Sequence, residues 1–195
     1  MFSALIKKLL LEIKTWRYRY EKMENHFLFH GAQELLIPVG SIGTALGGAN
    51  LATTEGTEAM YWNPAGLAAS QYSTELMISH LTYIADMNVN YVAGYFQNAT
   101  FGALGFSIKT LGFGDIPVTT NESPDGTGEM FSPTFLTLGA TYSRAMTNKI
   151  FFGASVKLVS EKIMRESATG VAFDFGLRYD TGMGIKGAVC LKNIG

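Results

Sequence analysis

From residue 74 to residue 193 the chain alternates apolar residues with small or polar ones, at a spacing of two. Successive side chains of an extended strand point to opposite faces. The period therefore gives each run one apolar and one small-or-polar face, and it argues against a helical bundle. In 168–180, Ala168, Gly170, Ala172, Asp174, Gly176, Arg178 and Asp180 share one face, while Thr169, Val171, Phe173, Phe175, Leu177 and Tyr179 share the other. In 150–161, Ile150, Phe152, Ala154, Val156 and Leu158 oppose Gly153, Ser155, Lys157 and Glu161. In 102–110, Gly102, Leu104, Phe106 and Ile108 oppose Ala103, Gly105, Ser107 and Lys109. Strands are expected near 74–84, 87–97, 101–111, 132–144, 149–162, 168–180 and 184–193, with short turns at 97–100, 145–148 and 180–183. One long connection, 112–131, interrupts the series. Short turns alternating with longer loops describe an up-and-down antiparallel meander.

A half-buried sheet in a water-soluble protein shows the same alternation. Two details favour a membrane wall instead. The runs extend to about ten to thirteen residues, where globular strands average about five or six and a tilted membrane-crossing strand needs about 9–11. The non-apolar face is mostly Gly, Ala, Ser and Thr, whereas a sheet facing water carries more Lys and Glu. A charged fraction of 16%, an aromatic fraction of 12% and 22 glycines suit such a protein of many strands and tight turns. Aromatic residues near strand ends (Tyr83, Tyr95, Phe96, Tyr142, Phe151, Tyr179) fit interfacial girdles. The expected fold class is all-β, an antiparallel up-and-down transmembrane β-barrel, with outer-membrane lipid as its partner. Lys109, Lys157, Glu161, Asp174, Arg178 and Lys186 are the candidate lumen-facing residues, where charges are paired or wetted.

Little in the chain points to chemistry. Net charge is −1, from 15 basic and 16 acidic residues, which implies no nucleic-acid partner. The single cysteine, Cys190, allows neither an internal disulfide nor a cysteine-cluster metal site. Residues 182–187 match GxGxxG, but they fall at a hairpin turn leading into a strand, not at the helix N-terminus that would hold a pyrophosphate. The glycines of 43–50 lack the Gly-Lys-Ser/Thr ending of a phosphate loop. His26, His30 and His80 have no metal-ligand spacing, and no GxSxG pentapeptide presents a nucleophile. Asp115, Glu122, Asp125 and Glu129 put four carboxylates on the long connection. Without an EF-hand pattern they read as a solvated loop rather than a calcium site. The expectation is no enzyme, no cofactor and no metal.

The first 30 residues read as an atypical leader, possible helix included, because Lys7, Lys8, Glu12 and Lys14 interrupt its apolar run. The segment 31–73 is rich in Gly, Ala and Thr and nearly free of charge. Helical turns are expected over 57–62, ending at the Asn63-Pro64 break. Residues this small and uncharged pack closely against something else.

Within that segment, GTALGGANLA followed by EAMYWNPAGL resembles the N-terminal region of the FadL-like outer-membrane barrels. Asn63, Pro64, Ala65 and Gly66 match the signature of the plug, or hatch, of that superfamily. Ser79-His80, Gly114-Asp115-Ile116-Pro117, Gly126-Thr127-Gly128-Glu129 and Lys157 with Glu161 are similar to the PorV/PorQ family. So are Phe173-Asp174-Phe175-Gly176 with Tyr179, and Asn193-Ile194-Gly195. The resemblance covers about 31–195. It implies a hatch, 31–73, inside a barrel of about fourteen strands, with 74–195 supplying about seven of them as a truncated first half. Such a half would leave an open edge in lipid and aggregate alone. The resemblance also implies a bacterial outer-membrane location and a role in type IX protein secretion, in cargo handling or cell-surface attachment, with secretion components and cargo proteins as partners. A FadL-like channel for hydrophobic small molecules and a soluble β-domain used for binding are the alternatives.

Overall fold

The computed structural model describes residues 32–84, 87–119, 123–124, 126–163 and 166–195. The chain divides into two units, Met1–Gln33 and Glu34–Gly195. The expected leader lies outside the described residues.

Strands β1 (Thr74–Thr82), β2 (Asn88–Asn98), β3 (Gly102–Gly112), β4 (Ile116–Pro117), β5 (Met130–Phe131), β6 (Thr134–Ala145), β7 (Ile150–Ile163), β8 (Glu166–Asp180) and β9 (Lys186–Ile194) make the fold all-β. Seven of them form one antiparallel sheet in the order β1-β2-β3-β6-β7-β8-β9, a meander. Strand ends fall within about two residues of those read from the sequence.

The long connection departs from expectation. It is not wholly irregular: β4 and β5 pair as a ribbon of their own. Val118 N–H donates to Glu129 O (2.9 Å) and Thr127 N–H to Val118 O (2.8 Å), continuing the ribbon past the strands. Gly126 and Gly128 supply the positive φ angles its return requires. Pro117 is tolerated because each strand of a two-stranded ribbon is an edge.

Local chemistry closes the short turns. Between β2 and β3, the Asn98 side chain accepts from Thr100 N–H (2.7 Å), and Gly102 then enters the sheet at φ 101°. Between β8 and β9, Asp180 Oδ1 accepts from Gly182 N–H (2.8 Å), and Gly182 and Gly184 both have positive φ. The GxGxxG pattern is thus a hairpin turn and the start of a strand.

Register aligns like with like. On one face, Ile78, Val92, Ile108, Leu138, Leu158 and Val171 form a row across β1, β2, β3, β6, β7 and β8. The next row is Leu76, Gly94, Phe106, Ala140, Val156 and Phe173, and the one after runs through Phe96, Leu104, Tyr142, Ala154 and Phe175. On the other side of the first row stand His80, Asn90, Thr110, Leu136, Ser160 and Thr169, mostly polar. His80 Nδ1 lies 2.7 Å from Asn90 Oδ1 within that polar row.

Burial of the two faces is inverted relative to a sheet folding in water. Ile78 is 76% exposed and Phe106 57%, whereas Asp174 is 0% and Arg178 2% exposed on the opposite face. That opposite face is covered by short helical turns: Gln33–Leu36, Ser41–Ala45, Gly56–Glu58, Ala59–Trp62 and Pro64–Ala69. The last of these turns packs on β6, β7 and β8. Against β2 and β3 the covering segment makes an apolar core of Val39, Met60, Tyr61 and Leu67 with Val89, Tyr91, Tyr95 and Leu111. Against β6–β8 it meets Thr141, Ser143, Ser155, Lys157, Asp174 and Arg178, all buried.

A Cβ on Gly102 would stand 2.5 Å from Ser143 O at a φ that side chains avoid. Gly102→Ala is therefore expected to destabilise by more than ~1 kcal/mol in denaturant unfolding. Gly112→Ala, with open space around its Cβ position, is expected to cost little.

Candidate functional site

The buried residues Asn63, Pro64, Ala65 and Gly66 sit where the covering segment comes nearest the sheet. Asn63 is extended (φ −156°, ψ 107°), which ends the Ala59–Trp62 turn, and Pro64 opens the next with a fixed φ and no orphan N–H. The Asn63 amide works in both directions: Oδ1 accepts from Ala65 N–H (3.1 Å), and Nδ2 donates to Leu51 O (2.8 Å). Gly66 is held by close approach within the segment, since a Cβ there would lie 2.2 Å from Thr54 O.

This turn lies in a trench. Ala103, Ser143, Gly153 and Gly176 form one row across β3, β6, β7 and β8 on the covered face. A Cβ on Gly153 would stand 2.2 Å from the Pro64 carbonyl carbon, and one on Gly176 2.0 Å from Asn63 Oδ1. Ser143 Oγ accepts from Ala68 N–H (3.3 Å) and lies within donating distance of Ala65 O (3.2 Å). In the adjoining row, Gly105 makes room for the Met60 sulfur. The small residues of the strands are thus shaped to the turn that covers them.

Charged side chains fix the segment on either side. Arg178 donates to Glu55 Oε1 (2.6 Å) and Thr54 O (3.1 Å) and lies over the Phe151 ring. Lys186 shares Glu55 (3.3 Å) and approaches Asp180 (3.9 Å). Further along, Lys157 pairs with Asp174 Oδ2 (2.5 Å) and donates to Asn193 Oδ1 (2.9 Å), while Asn193 N–H donates to Asp174 Oδ1 (2.8 Å). Lys109 donates to the carbonyl oxygens of Glu34 and Ile37, both at 2.6 Å, beside the Tyr61 ring.

The residues singled out from the sequence are therefore distributed unevenly. Lys109, Lys157, Asp174 and Arg178 are buried on the covered face, Glu161 is half-buried there near Glu34, and Lys186 lies at its edge. Of the loop carboxylates, Asp115 accepts from the Ser132 hydroxyl and Glu129 sits opposite Val118 in the ribbon. Glu122 and Asp125 lie outside the described residues. No three His, Cys, Asp or Glu side chains gather as a metal site among the described residues.

Three charged residues of the site, Glu34, Glu55 and Lys192, escaped the sequence reading. Glu55 lies in a stretch with no periodicity to give its direction. Lys192, stacked 4.0 Å over Tyr61 and close to Trp62, does share parity with Lys186 and Cys190 along β9, a signal that could have found it.

Burial pushes the Glu34 carboxyl up from 4.5 to about 7; its own backbone N–H opposes this, the nearby Glu161 adds to it, and Lys109 opposes it. Tyr61, whose hydroxyl donates to Leu35 O (3.0 Å), is also pushed up by burial and stays protonated. Folded protein therefore holds the Glu34 proton over a range in which unfolded chain has lost it. By linkage, stability falls as pH rises from about 4.5 to about 7. Glu34→Gln is expected to remove that fall, measured as the denaturation midpoint across the range.

Comparison with protein-family models gives no match, and comparison with curated proteins gives none either.

Two substitutions separate trench from charge. Gly176→Val is expected to unseat the Asn63 turn and open the covering segment to limited proteolysis, whereas Gly170→Val, facing open space, leaves it protected. Glu55→Ala strips the anion from an Arg178 that is 2% exposed. Glu55 itself is about one-third exposed, so the expected loss in denaturant unfolding is about 2 kcal/mol, below the ~3–5 of a fully buried pair.

Proposed function

We propose that this sheet is part of the wall of a bacterial outer-membrane β-barrel, with its open face against lipid and residues 34–70 as the plug in its lumen. The observation that carries this reading is the inversion of burial: rows of Ile, Val, Leu and Phe are exposed while Lys109, Lys157, Asp174 and Arg178 are covered. In water such an exposed face would bring molecules together, because a contiguous apolar patch of this extent is an association surface. In lipid it needs no partner.

The dimensions agree. On β7 the apolar side chains of the open face run from Ile150 to Leu158 and give way to Ser160 and Lys162. At ~3.4 Å per residue the apolar run is about 27 Å long. Tilted by the ~35–45° usual for such barrels, it covers about 20 Å, close to the ~25 Å apolar band expected. The polar row of His80, Asn90, Thr110, Ser160 and Thr169 would then stand at the headgroup level.

Strand parity adds a condition. β1 and β9 end a meander of seven antiparallel strands and so run in the same direction. They cannot pair antiparallel with each other, so closing the wall takes an odd number of further strands, giving the even total of single-chain bacterial barrels.

Within that class, the reading is a PorV/PorQ-like protein serving type IX protein secretion, by cargo handling or cell-surface attachment. The ordered series of motifs supports it, and so does their clustering. Gly114–Pro117 and Gly126–Glu129 belong to the same ribbon, and Lys157, Asp174 and Asn193 share one network. Deleting the gene is expected to strand secreted cargo inside the cell. Normal secretion with impaired uptake of a hydrophobic compound would favour a FadL-like channel instead.

The wall itself is tested by charge. Phe173→Lys or Val156→Lys, near the middle of the apolar rows, is expected to destabilise the lipid-inserted protein by ~2–4 kcal/mol. A surface facing water would tolerate either within about 0.5 kcal/mol.

A further inference from the structure

Between the covering segment and strands β2, β3, β6 and β7 lies a cavity of about 20 Å³. Its polar lining is Tyr91, Ser107, Lys109, Thr137 and Lys157. That volume exceeds the ~10–15 Å³ needed by one water-sized occupant and falls far below the ~300 Å³ or more of an organic-ligand pocket. Two features mark the space as a site rather than a packing gap. The Tyr91 hydroxyl is buried there with no more than a loose contact to the Ser107 side chain among the described residues. The Lys109 ammonium, 4% exposed, bonds two neutral carbonyl oxygens and no carboxylate within ion-pair distance among the described residues.

The two charged side chains that line the cavity are both cationic. Lys109 and Lys157 line it, and Lys192 lies over Tyr61, a third lining residue. Asp174 is committed to Lys157 and to Asn193 N–H. Glu34 acts on Lys109 through space but keeps its own proton up to about pH 7, and Glu161 faces Glu34. Burying an ammonium without an opposite charge is costly. A water molecule would satisfy Tyr91 and leave that cost in place. A halide would meet both needs, and the size of the cavity excludes sulfate or phosphate.

We propose that this cavity binds one small monovalent anion, chloride in size, between the Lys109 and Lys157 ammonium groups and the hydroxyls of Tyr91, Ser107 and Thr137. All five of these groups stand on the strands, and Leu35, Met60 and Tyr61 of the covering segment close the space over them. The proposal concerns the interior of the unit and does not depend on what the open face touches.

Bromide carries the same charge, is only slightly larger and scatters X-rays anomalously. Crystals of the full chain grown in bromide are expected to show an anomalous peak in the cavity. The peak is expected to vanish in Lys109→Met and to need about tenfold more bromide in Tyr91→Phe, which loses one charge-assisted hydrogen bond. Replacing chloride with gluconate, too large to enter, is expected to lower the thermal midpoint of the wild type. An empty or water-filled cavity in wild-type bromide crystals, or equal midpoints in chloride and gluconate, would overturn the proposal. The wild-type measurements decide the matter even if a variant fails to fold.

Discussion

Covering the polar face of the sheet is the constraint on which the rest of this structure depends. Lys109, Lys157, Asp174 and Arg178 point to one side of the strands, and residues 34–70 close over them. Charges removed from water must find opposite charges or hydrogen bonds. That requirement fixes Glu55 beside Arg178, Asn193 beside Lys157 and Asp174, and the carbonyls of Glu34 and Ile37 beside Lys109. The segment is thus less a lid of convenience than the missing half of a set of polar contacts.

The covered face has two characters. Toward β2 and β3 it is apolar and aromatic, and Met60, Tyr61 and Leu67 pack there as in any protein core. Toward β6, β7 and β8 it is glycine, serine, threonine and paired charge, and the Asn63 turn drops into the row of Ser143, Gly153 and Gly176. Apolar packing holds one flank and specific polar geometry the other. Close approach of backbone to backbone needs the absence of a Cβ, which is why glycine stands at Gly153 and Gly176.

Much of this was legible because period two is a strong signal over long runs. The face of Asp174, Gly176 and Arg178 could be read by counting along β8, and the turn at Asn63-Pro64 by its residue types alone. The apolar rows followed too, since each strand alternates with the same sense. What could not be read were contacts without a period. Glu55 lies in an irregular stretch, so nothing local tells that it reaches Arg178, more than a hundred residues away. The Glu34 carboxyl is raised by burial that only the folded chain supplies, and Glu161 adds to it across that same fold. The β4–β5 ribbon is only a pair of residues on each side, too short to alternate.

Along Phe151–Leu158 a wall facing lipid gives each side chain a definite surrounding, which site-directed nitroxide labelling of the lipid-reconstituted protein reads. In a Cys190→Ser background, labels at Phe152, Val156 and Leu158 are predicted to be reached by dissolved oxygen from the bilayer. Labels at Phe151, Ser155 and Lys157 are predicted to be shielded from it, giving a period of two. Accessibility to a water-soluble nickel reagent at Phe152, Val156 and Leu158, with no preference for oxygen, would put that face in water and rule out a lipid-facing wall.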